Sequence, residues 1–390
     1  MIAPKLAYRN LAGAGLRTWL NVAVLSMAYV IIIWQQGLLD GWNRQALRDM
    51  IDWEIGGGQY WHAQYDPYDP FTLERSHGPV PAAMVDASPG RAAAPVLIVQ
   101  ATIYPQGRMQ SVILKGIPPG QRALSLPTAE LQADIPEIPV LIGTRTARSA
   151  NLHVDDTVTV RWRDANGAFD AAEAKVVRMM KTNVSTVDQG QLWLPLERLQ
   201  AMMQLPGEAT IIVVGREGEE AGAPPGWVFR DRTFLSQDLA DMIRMKKVGN
   251  AILYVVLLSL ALLAIFDTQV LAIFRRRREI GMLIALGMTR GAVIRLFTLE
   301  GAMHGVLAAI AAAAYGIPLL SLQAIQGIGM PEAVDSFGLA IAERVFPVYS
   351  AGLVAGTALI VLASVTLVSF LPTRRIARLN PTDAIKGKLA

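Results

Sequence analysis

The sequence predicts a membrane α-helical protein with four transmembrane helices, both termini in the cytoplasm, and a large extracytoplasmic α+β domain between the first two helices. Three observations support this fold class. Hydrophobic residues make up 52% of the 390 residues and charged residues only 17%, which is typical of membrane proteins. Four apolar stretches are each long enough to cross a bilayer as a helix. The segment between the first two stretches shows the alternation and turn signals of strands.

The basic residues are concentrated in three segments of the chain. Residues 1–17, 275–296 and 372–390 carry 14 Lys and Arg but only two acidic residues, although the net charge of the whole chain is only +4. Because cytoplasmic flanks of membrane helices are rich in Lys and Arg, these three segments are predicted to be cytoplasmic. No basic patch lies elsewhere, which argues against a nucleic-acid partner. The chain has no cysteine, so no disulfide or thiol nucleophile is expected.

These signals divide the chain into alternating membrane and water-facing segments. The predicted order is an interfacial helix at 1–17, a first span at 18–39, the extracytoplasmic domain at 40–247, a second span at 248–274, a cytoplasmic surface segment at 275–296, a third span at 297–322, an extracytoplasmic loop at 323–346, a fourth span at 347–371 and a cytoplasmic tail at 372–390.

The inserted domain is predicted to be α+β. Residues 96–104 and 110–117 favour a pair of strands, and residues 156–162 and 172–180 favour a hairpin across an Asn-Gly turn. A helix at 194–204 precedes an apolar strand at 209–215. The end of the domain, residues 236–251, is predicted to be helical and to continue directly into the second span.

The most specific pattern is FRRRREIGMLIALGMTRGAVIRLFTLEG, which occupies residues 274–301. Apolar residues at helical spacing predict a short amphipathic helix over 279–286 on the membrane surface. Gly287 suits a helix stop, because glycine adopts the left-handed conformation without steric cost. Thr289 can cap the next helix by accepting a hydrogen bond from a free backbone N–H. The four arginines alone would favour a simple anchor at the cytoplasmic face of a helix; the pattern as a whole is more specific.

This pattern resembles the coupling-helix region of FtsX/MacB-type (type VII) ABC-transporter permeases. The order of spans, the large domain after the first span and the basic tail PTRRIARLNP resemble the same family. The inserted domain is most similar to that of lipoprotein-releasing (Lol-type) permeases, on the stretches GGQYWHAQYDPY and VLIGTRTARSANLHVDDTVTV. The residues expected to couple this chain to an ATPase, carried over from the family pattern, are Arg278, Glu279, Ile280, Gly281, Leu283, Ala285, Leu286 and Gly287.

The resemblance implies a non-catalytic permease subunit in the bacterial inner membrane. Its expected partners are a dimeric ABC ATPase that binds ATP and Mg²⁺, a second permease copy or a paralogue, a periplasmic carrier or adaptor, and membrane lipids. The implied mechanism is mechanotransmission, in which ATP-driven movement of the ATPases is relayed through the helices to a lipoprotein or another amphipathic substrate. The chain itself carries no GxxxxGK[ST] phosphate loop, so no cofactor is expected in it.

Polar groups inside the predicted spans suggest a second set of candidates. Asp267, Glu300 and His304 are intramembrane ionisable residues, which by default suggest function. Glu300 and His304 are four residues apart and can pair on one helix face, so structural pairing is favoured over a proton relay. The proposed substrate path follows the apolar surfaces of the first two spans at Val30, Ile33, Tyr254 and Leu257.

Four other possibilities can be weighed from the sequence. The residues His62, Asp66, Asp69, Glu74 and His77 could supply metal ligands, but their spacing is irregular and no metal site is predicted. A MacB-like exporter of peptides or small molecules and an FtsX-like signalling subunit share the predicted topology. An enzyme with a membrane anchor is disfavoured, because no catalytic motif such as HExxH or GxSxG is present.

Overall fold

The computed structural model describes residues 16–85, 93–216, 222–275, 277–329 and 344–376. The chain divides into two compact units. Of the described residues, unit 1 comprises 16–43, 243–275, 277–329 and 344–376, and unit 2 comprises 44–85, 93–216 and 222–242. The predicted interfacial helix at 1–17 lies almost wholly outside the described residues, as do most of the 323–346 loop and the end of the tail.

The described residues contain ten α-helices and thirteen strands. The helices are α1 (Leu16–Met50), α2 (Ala82–Val85), α3 (Thr144–Ala150), α4 (Ser185–Asp188), α5 (Leu196–Met203), α6 (Arg232–Leu235), α7 (Gln237–Arg275), α8 (Arg277–Ala285), α9 (Arg290–Gln326) and α10 (Ala351–Ile376). The strands are β1 (Gly58–His62), β2 (Gly78–Pro79), β3 (Ala93–Ile103), β4 (Gln110–Ile117), β5 (Ile138–Gly143), β6 (Thr157–Arg163), β7 (Phe169–Met180), β8 (Gln191–Pro195), β9 (Glu208–Ala209), β10 (Ile211–Val214), β11 (Trp227–Arg230), β12 (Ile328–Gly329) and β13 (Arg344–Val345).

Four helical stretches of the described chain are long and apolar enough to cross a membrane. They are Trp19–Ile55, Gln237–Leu263, Arg290–Gln326 and Ala351–Arg374. These stretches correspond to the four predicted spans; the first and third are longer than predicted, and the second begins and ends earlier in the chain. The boundary between the two units falls inside α1 and inside α7, so each of these helices contributes residues to both units.

Unit 1 is held together by small residues along α9. Gly305, Ala308, Ala312 and Gly316 are buried at three- or four-residue spacing on one face of this helix. A Cβ added to Gly316 would lie 2.8 Å from a methyl group of Val30 on α1. Small residues let helices approach closely, which is the usual basis of packing between membrane helices. The core of this unit therefore gathers side chains of α1, α9 and α10, with a smaller contribution from α7.

Unit 2 is built on a nine-stranded sheet whose strand order is β11-β1-β10-β3-β4-β8-β5-β7-β6. A further pairing of β6 with β3 closes the last six strands of this order into a barrel. The pairings β4–β8 and β5–β7 are parallel, and the other pairings around the ring are antiparallel. β10, β1 and β11 extend the sheet beyond the barrel.

Three hydrophobic cores stabilise unit 2, and the smallest gathers Tyr60, Ile212 and Trp227 from β1, β10 and β11. The other two are larger. The first gathers alternate side chains of all six barrel strands together with α5. It lies inside the barrel, because outward-facing side chains on opposite strands of a closed ring cannot meet. The second core lies on the outer face of β3, β5 and β8, where Trp193 of β8 packs with side chains of the loop at residues 123–131.

Several local predictions for this domain are confirmed. β3 and β4 form the expected antiparallel pair, and β6 and β7 form the expected hairpin. The predicted helix and strand near the end of the domain are α5 and β10, and α7 begins in the segment predicted to be helical. β5, β8 and β11 were not predicted individually.

A π-turn at Ile51–Ile55 joins α1 to the sheet. It ends at Gly56, which has φ +67° and whose added Cβ would lie 2.5 Å from the Val214 carbonyl oxygen. Only glycine fits this conformation and close approach. The adjacent Gly57 N–H donates to the same carbonyl at 2.6 Å, which fixes the start of β1 against β10.

Candidate functional site

The predicted surface helix is present as α8, Arg277–Ala285, between α7 and α9. Gly287 follows it with φ +96°, as its predicted role as a helix stop requires. The Thr289 hydroxyl accepts from the Ala292 N–H at 3.3 Å and caps α9, as predicted. Residues 290–296, which were grouped with the surface segment, form the first turns of α9.

The inner face of α8 packs against α9 through an apolar cluster. Ile280, Val293 and Phe297 are 3%, 1% and 4% exposed, and the half-buried Ile284 and Met288 pack against them. Gly281 is also buried on this side. Burial of this apolar surface holds the short helix in one orientation, which an isolated helix of nine residues would not keep in water.

The outer face of α8 presents exposed side chains. Glu279 is exposed, and the apolar Met282 and Leu286 are 57% and 80% exposed. The Leu286 N–H donates to the Met282 carbonyl at 2.9 Å, so Leu286 belongs to the last helical turn. Ala285 is exposed beside them. The spacing of 279, 282 and 286 places these residues on one helix face.

The eight residues expected to couple to an ATPase therefore divide between the two faces. Glu279, Ala285 and Leu286 are exposed, whereas Ile280 and Gly281 are buried. The side chains of Arg278 and Leu283 lie outside the described residues. Met282 was not among the expected residues, although its position three residues after Glu279 would have placed it on the outer face. The coupling role itself stays a prediction.

The three ionisable residues predicted to lie in the membrane belong to two helices. Asp267 is exposed on α7, whereas Glu300 and His304 lie on α9. A ring nitrogen of the buried His304 lies 2.9 Å from the backbone carbonyl oxygen of Glu300. The expected contact within the 300/304 pair is therefore made through the Glu300 backbone carbonyl, one helical turn before the ring.

The residues of the predicted substrate path differ in accessibility. Val30 and Ile33 are 8% and 9% exposed, because α9 covers this face of α1. Tyr254 and Leu257 on α7 are half-exposed. The substrate role of all four residues stays a prediction, and only the two on α7 are accessible in unit 1 as described.

The possible metal ligands of the proline-rich loop have local partners instead. Asp66 and Asp69 accept backbone N–H groups of their own turns, and Glu74 pairs with Arg163 at 3.1 Å. His77 Nδ1 lies 2.5 Å from Glu208 Oε2. The pKa of nearby His62 is lowered by burial and by His77, with Glu208 opposing. Among the described residues, no three His, Asp or Glu side chains form a cluster that could hold a metal ion.

A buried lysine near the end of α1 was not anticipated. Lys115 on β4 lies 3.9 Å from Glu54 of the π-turn and 5.0 Å from the centroid of the Trp193 ring. Burial lowers the pKa of Lys115, and the Glu54 carboxylate opposes this shift. Glu54 also accepts a hydrogen bond from the Thr186 hydroxyl at 2.5 Å. The sequence contained no signal for this group, because a single lysine in an apolar strand gives no indication of its partner.

Four span-length apolar helices, with an α+β unit inserted between the first and second, define a multispan membrane protein. Residues 251–381, about a third of the chain, match the family model described as FtsX-like permease C-terminal. The match contains α8, most of α7 and all of α9 and α10.

Two curated relatives are similar over most of the chain. The "Lipoprotein-releasing system transmembrane protein LolC" of Neisseria meningitidis serogroup B is 22% identical over 330 residues, which cover 76% of this chain and 78% of the relative. The protein of the same name from Xylella fastidiosa strain Temecula1 is 21% identical over 324 residues, which cover 75% and 77%. The suspected resemblance to FtsX-type permeases and to Lol-type relatives is thus confirmed.

Proposed function

We propose that this chain is the transmembrane subunit of an ABC transporter that releases lipid-anchored proteins from the bacterial inner membrane. A separate ATPase supplies the energy, and the chain itself is not an enzyme. The observation that carries the proposal is α8, a surface helix within the segment that matches the FtsX-like family model. Ile280 on the inner face of α8 is buried against α9, whereas Met282 and Leu286 on the outer face are exposed. A helix held in this way can receive a push from a partner without rotating.

Movement would pass from α8 to the spans through direct packing and chain connectivity. α8 follows α7 after a single residue and contacts α9 through Val293 and Phe297. α1 and α7 each continue into unit 2 without a break in the helix. The resemblance implies that both termini and α8 are cytoplasmic and that unit 2 is extracytoplasmic. In this topology, displacement of α8 changes the disposition of the helices that carry unit 2.

The accessible surface of α7 supports an amphipathic substrate. Val248, Ile252, Val255 and Leu260 are exposed apolar residues along this helix. An acyl chain can lie against such a surface without desolvating a polar group, and each CH₂ kept from water contributes roughly 0.8 kcal/mol. A lipid-anchored protein offers such a chain. Membrane lipid or a second permease copy would cover the same surface between cycles.

A photo-crosslinking experiment tests the substrate class. A photoreactive residue at Tyr254, which is half-exposed, should trap lipoproteins in cells that carry the active complex. The same probe at Leu25 of α1, which is 1% exposed in the core of unit 1 and is not a path residue, provides the matched control and should trap none. Recovery of soluble peptides or small molecules at Tyr254 would favour a MacB-like exporter. A complex that hydrolyses ATP but gives no adduct would favour a signalling subunit.

A further inference from the structure

Three basic residues of α7 do not belong to the segments predicted to be cytoplasmic. Arg244, Lys246 and Lys247 are exposed and lie within about one helical turn, immediately before the apolar stretch that begins at Val248. In the topology of the proposed function they lie on the extracytoplasmic side, where the positive-inside rule disfavours them. They are far fewer than the cations of a nucleic-acid surface, but they are enough to bind a phosphate group.

The length of α7 places these residues at the level of lipid head groups. From Lys247 to Arg275, α7 extends for about 42 Å at roughly 1.5 Å per residue. A bilayer is about 40–45 Å thick when its head groups are included. With Arg275 at the cytoplasmic head groups and α7 close to the membrane normal, Lys246 and Lys247 therefore lie at the head groups of the opposite leaflet.

Lys246 is held at this level by an aromatic ring of α1. Its ammonium nitrogen lies 5.0 Å from the centroid of the Trp42 ring, within the distance of a cation–π contact. Trp42 is half-buried, and tryptophan is enriched where a membrane meets water. An ammonium group carries three N–H donors, so contact with one ring leaves donors for a phosphate oxygen. The contact with Trp42 thus positions the cation without neutralising it.

The two lysines are available to an anionic ligand. No carboxylate of the described residues forms an ion pair with Lys246 or Lys247. Arg244 interacts with other residues of the chain, so the binding is assigned to the lysines. A lysine at a membrane surface strengthens the binding of anionic lipid by about fivefold. Two adjacent lysines therefore favour an anionic head group over a neutral one.

An exposed apolar face of α7 continues beneath the two lysines. Seven residues are about two helical turns, so Leu253 lies on the same side of α7 as Lys246. Tyr254 stands in the same relation to Lys247. Leu253 and Leu260 are 47% and 61% exposed, and Tyr254 is half-exposed. A phospholipid has the same order, with a phosphate at the membrane surface and acyl chains beneath it.

We infer that Lys246 and Lys247 bind the phosphate of an anionic phospholipid in the outer leaflet, and that an acyl chain of this lipid lies along the exposed face of α7. A free phosphate would use the lysines but not the apolar face, whereas a neutral lipid would use the apolar face without net attraction to the lysines. The inference rests on the membrane topology of the proposed function, but it requires neither an ATPase nor a transported substrate. Because the lipid covers Tyr254, a substrate that uses this surface has to displace it.

Lipid selectivity can be measured on the full chain in phosphatidylcholine nanodiscs. The sequence contains no cysteine, so a single cysteine at Leu260 can carry a fluorophore that a brominated acyl chain quenches on contact. Brominated phosphatidylglycerol should quench at a mole fraction at least about tenfold lower than brominated phosphatidylcholine, because each lysine contributes about fivefold. The same probe at Leu359 of α10, which is 67% exposed, should show no such preference.

Neutralising both lysines tests the binding site. Lys246→Gln combined with Lys247→Gln should reduce the preference for phosphatidylglycerol at least about fivefold. Both side chains are exposed, so the fold should persist, which thermal unfolding checks. Lys246→Arg combined with Lys247→Arg keeps the charges and should keep the preference. The control pair Arg108→Gln and Arg122→Gln removes two exposed positive charges from unit 2 and should leave the preference unchanged.

The outcomes that would overturn the inference are distinct. Equal quenching by the two brominated lipids, or a preference that survives neutralisation of the lysines, would contradict the site. An equal loss in the arginine control pair would assign the preference to net charge. Inorganic phosphate at constant ionic strength should not relieve the quenching, and complete relief would contradict the assignment to a lipid. None of these measurements involves release of a lipoprotein, so this inference and the proposed function can fail separately.

Discussion

Truncation of Leu286 should separate partner binding from folding. Leu286 is 80% exposed at the end of α8 and contributes little to the packing of the chain itself. We therefore expect Leu286→Ala to change the free energy of unfolding by less than about 0.5 kcal/mol. If α8 docks on an ATPase, the same change removes apolar area from the interface. Ile280→Ala, on the inner face of the same helix, should instead lower the free energy of unfolding.

The magnitudes follow from the burial of each side chain. Burying a leucine contributes about 1.5–3 kcal/mol, and truncation to alanine removes most of this, roughly 2 kcal/mol or a 30-fold rise in Kd. Ile280 is only 3% exposed and packs against Val293 and Phe297. Its truncation leaves a cavity and should cost about 2–4 kcal/mol of folding free energy. That loss would loosen α8 before any partner binds.

The assay is binding of the co-purifying ATPase to the chain in nanodiscs, with thermal unfolding of each variant measured in parallel. Leu286→Ala should weaken binding with an unchanged melting temperature, whereas Ile280→Ala should lower the melting temperature. A Kd for Leu286→Ala within twofold of the original chain, together with normal folding, would refute the assignment of the outer face of α8 as the docking surface.

Three further predictions concern the topology and the packing of the chain. Cysteines introduced at Ser111 and Thr289 should differ in labelling by an impermeant reagent in intact spheroplasts, with only position 111 labelled; equal labelling would contradict the topology. The free energy of unfolding of the original chain should rise between pH 7 and 9.5 through Lys115, and Lys115→Met should abolish this rise. Because burial lowers the pKa of Lys115, its protonation opposes folding at neutral pH, and this cost should vanish as the pH rises towards about 10.4. Unfolding of both chains at pH 7 and 9.5 checks the trend. A difference in unfolding free energy between the two chains that stays constant with pH would refute it. Gly316→Val should cost about 1–3 kcal/mol of folding free energy through overpacking, because an added Cβ alone would lie 2.8 Å from a methyl group of Val30. Gly356→Val is the control for a helical glycine, because nothing lies within 4 Å of its added Cβ. Equal melting temperatures for the two variants would contradict the packing of α9.

Signals carried by neighbouring residues predicted much of the local structure. The φ of Gly287 and the Thr289 cap follow from the chemistry of single residues at a helix end. The β6–β7 hairpin follows from two alternating stretches on either side of an Asn-Gly turn. The four spans follow from length and composition. Each of these features depends on residues that are close together in the chain.

Features that depend on distant residues could not be predicted in the same way. Closure of the barrel joins β3 to β6 about 60 residues later, and no local pattern specifies that register. The burial of Val30 depends on Gly316 of α9, so an apolar span residue alone could not reveal whether it faces lipid. The division of α8 into two faces likewise required the position of Val293 and Phe297.

The most direct test of the proposed function is release of a lipoprotein from proteoliposomes that contain this chain and its co-purifying ATPase. Lipoprotein recovered in the soluble fraction, captured by an added carrier, is measured with ATP and with a non-hydrolysable analogue. We predict ATP-dependent release that is lost in a Leu286→Glu complex, because a charge on the outer face of α8 disfavours docking. Sustained ATP hydrolysis by the reconstituted complex, with the lipoprotein remaining in the membrane, would contradict the proposal.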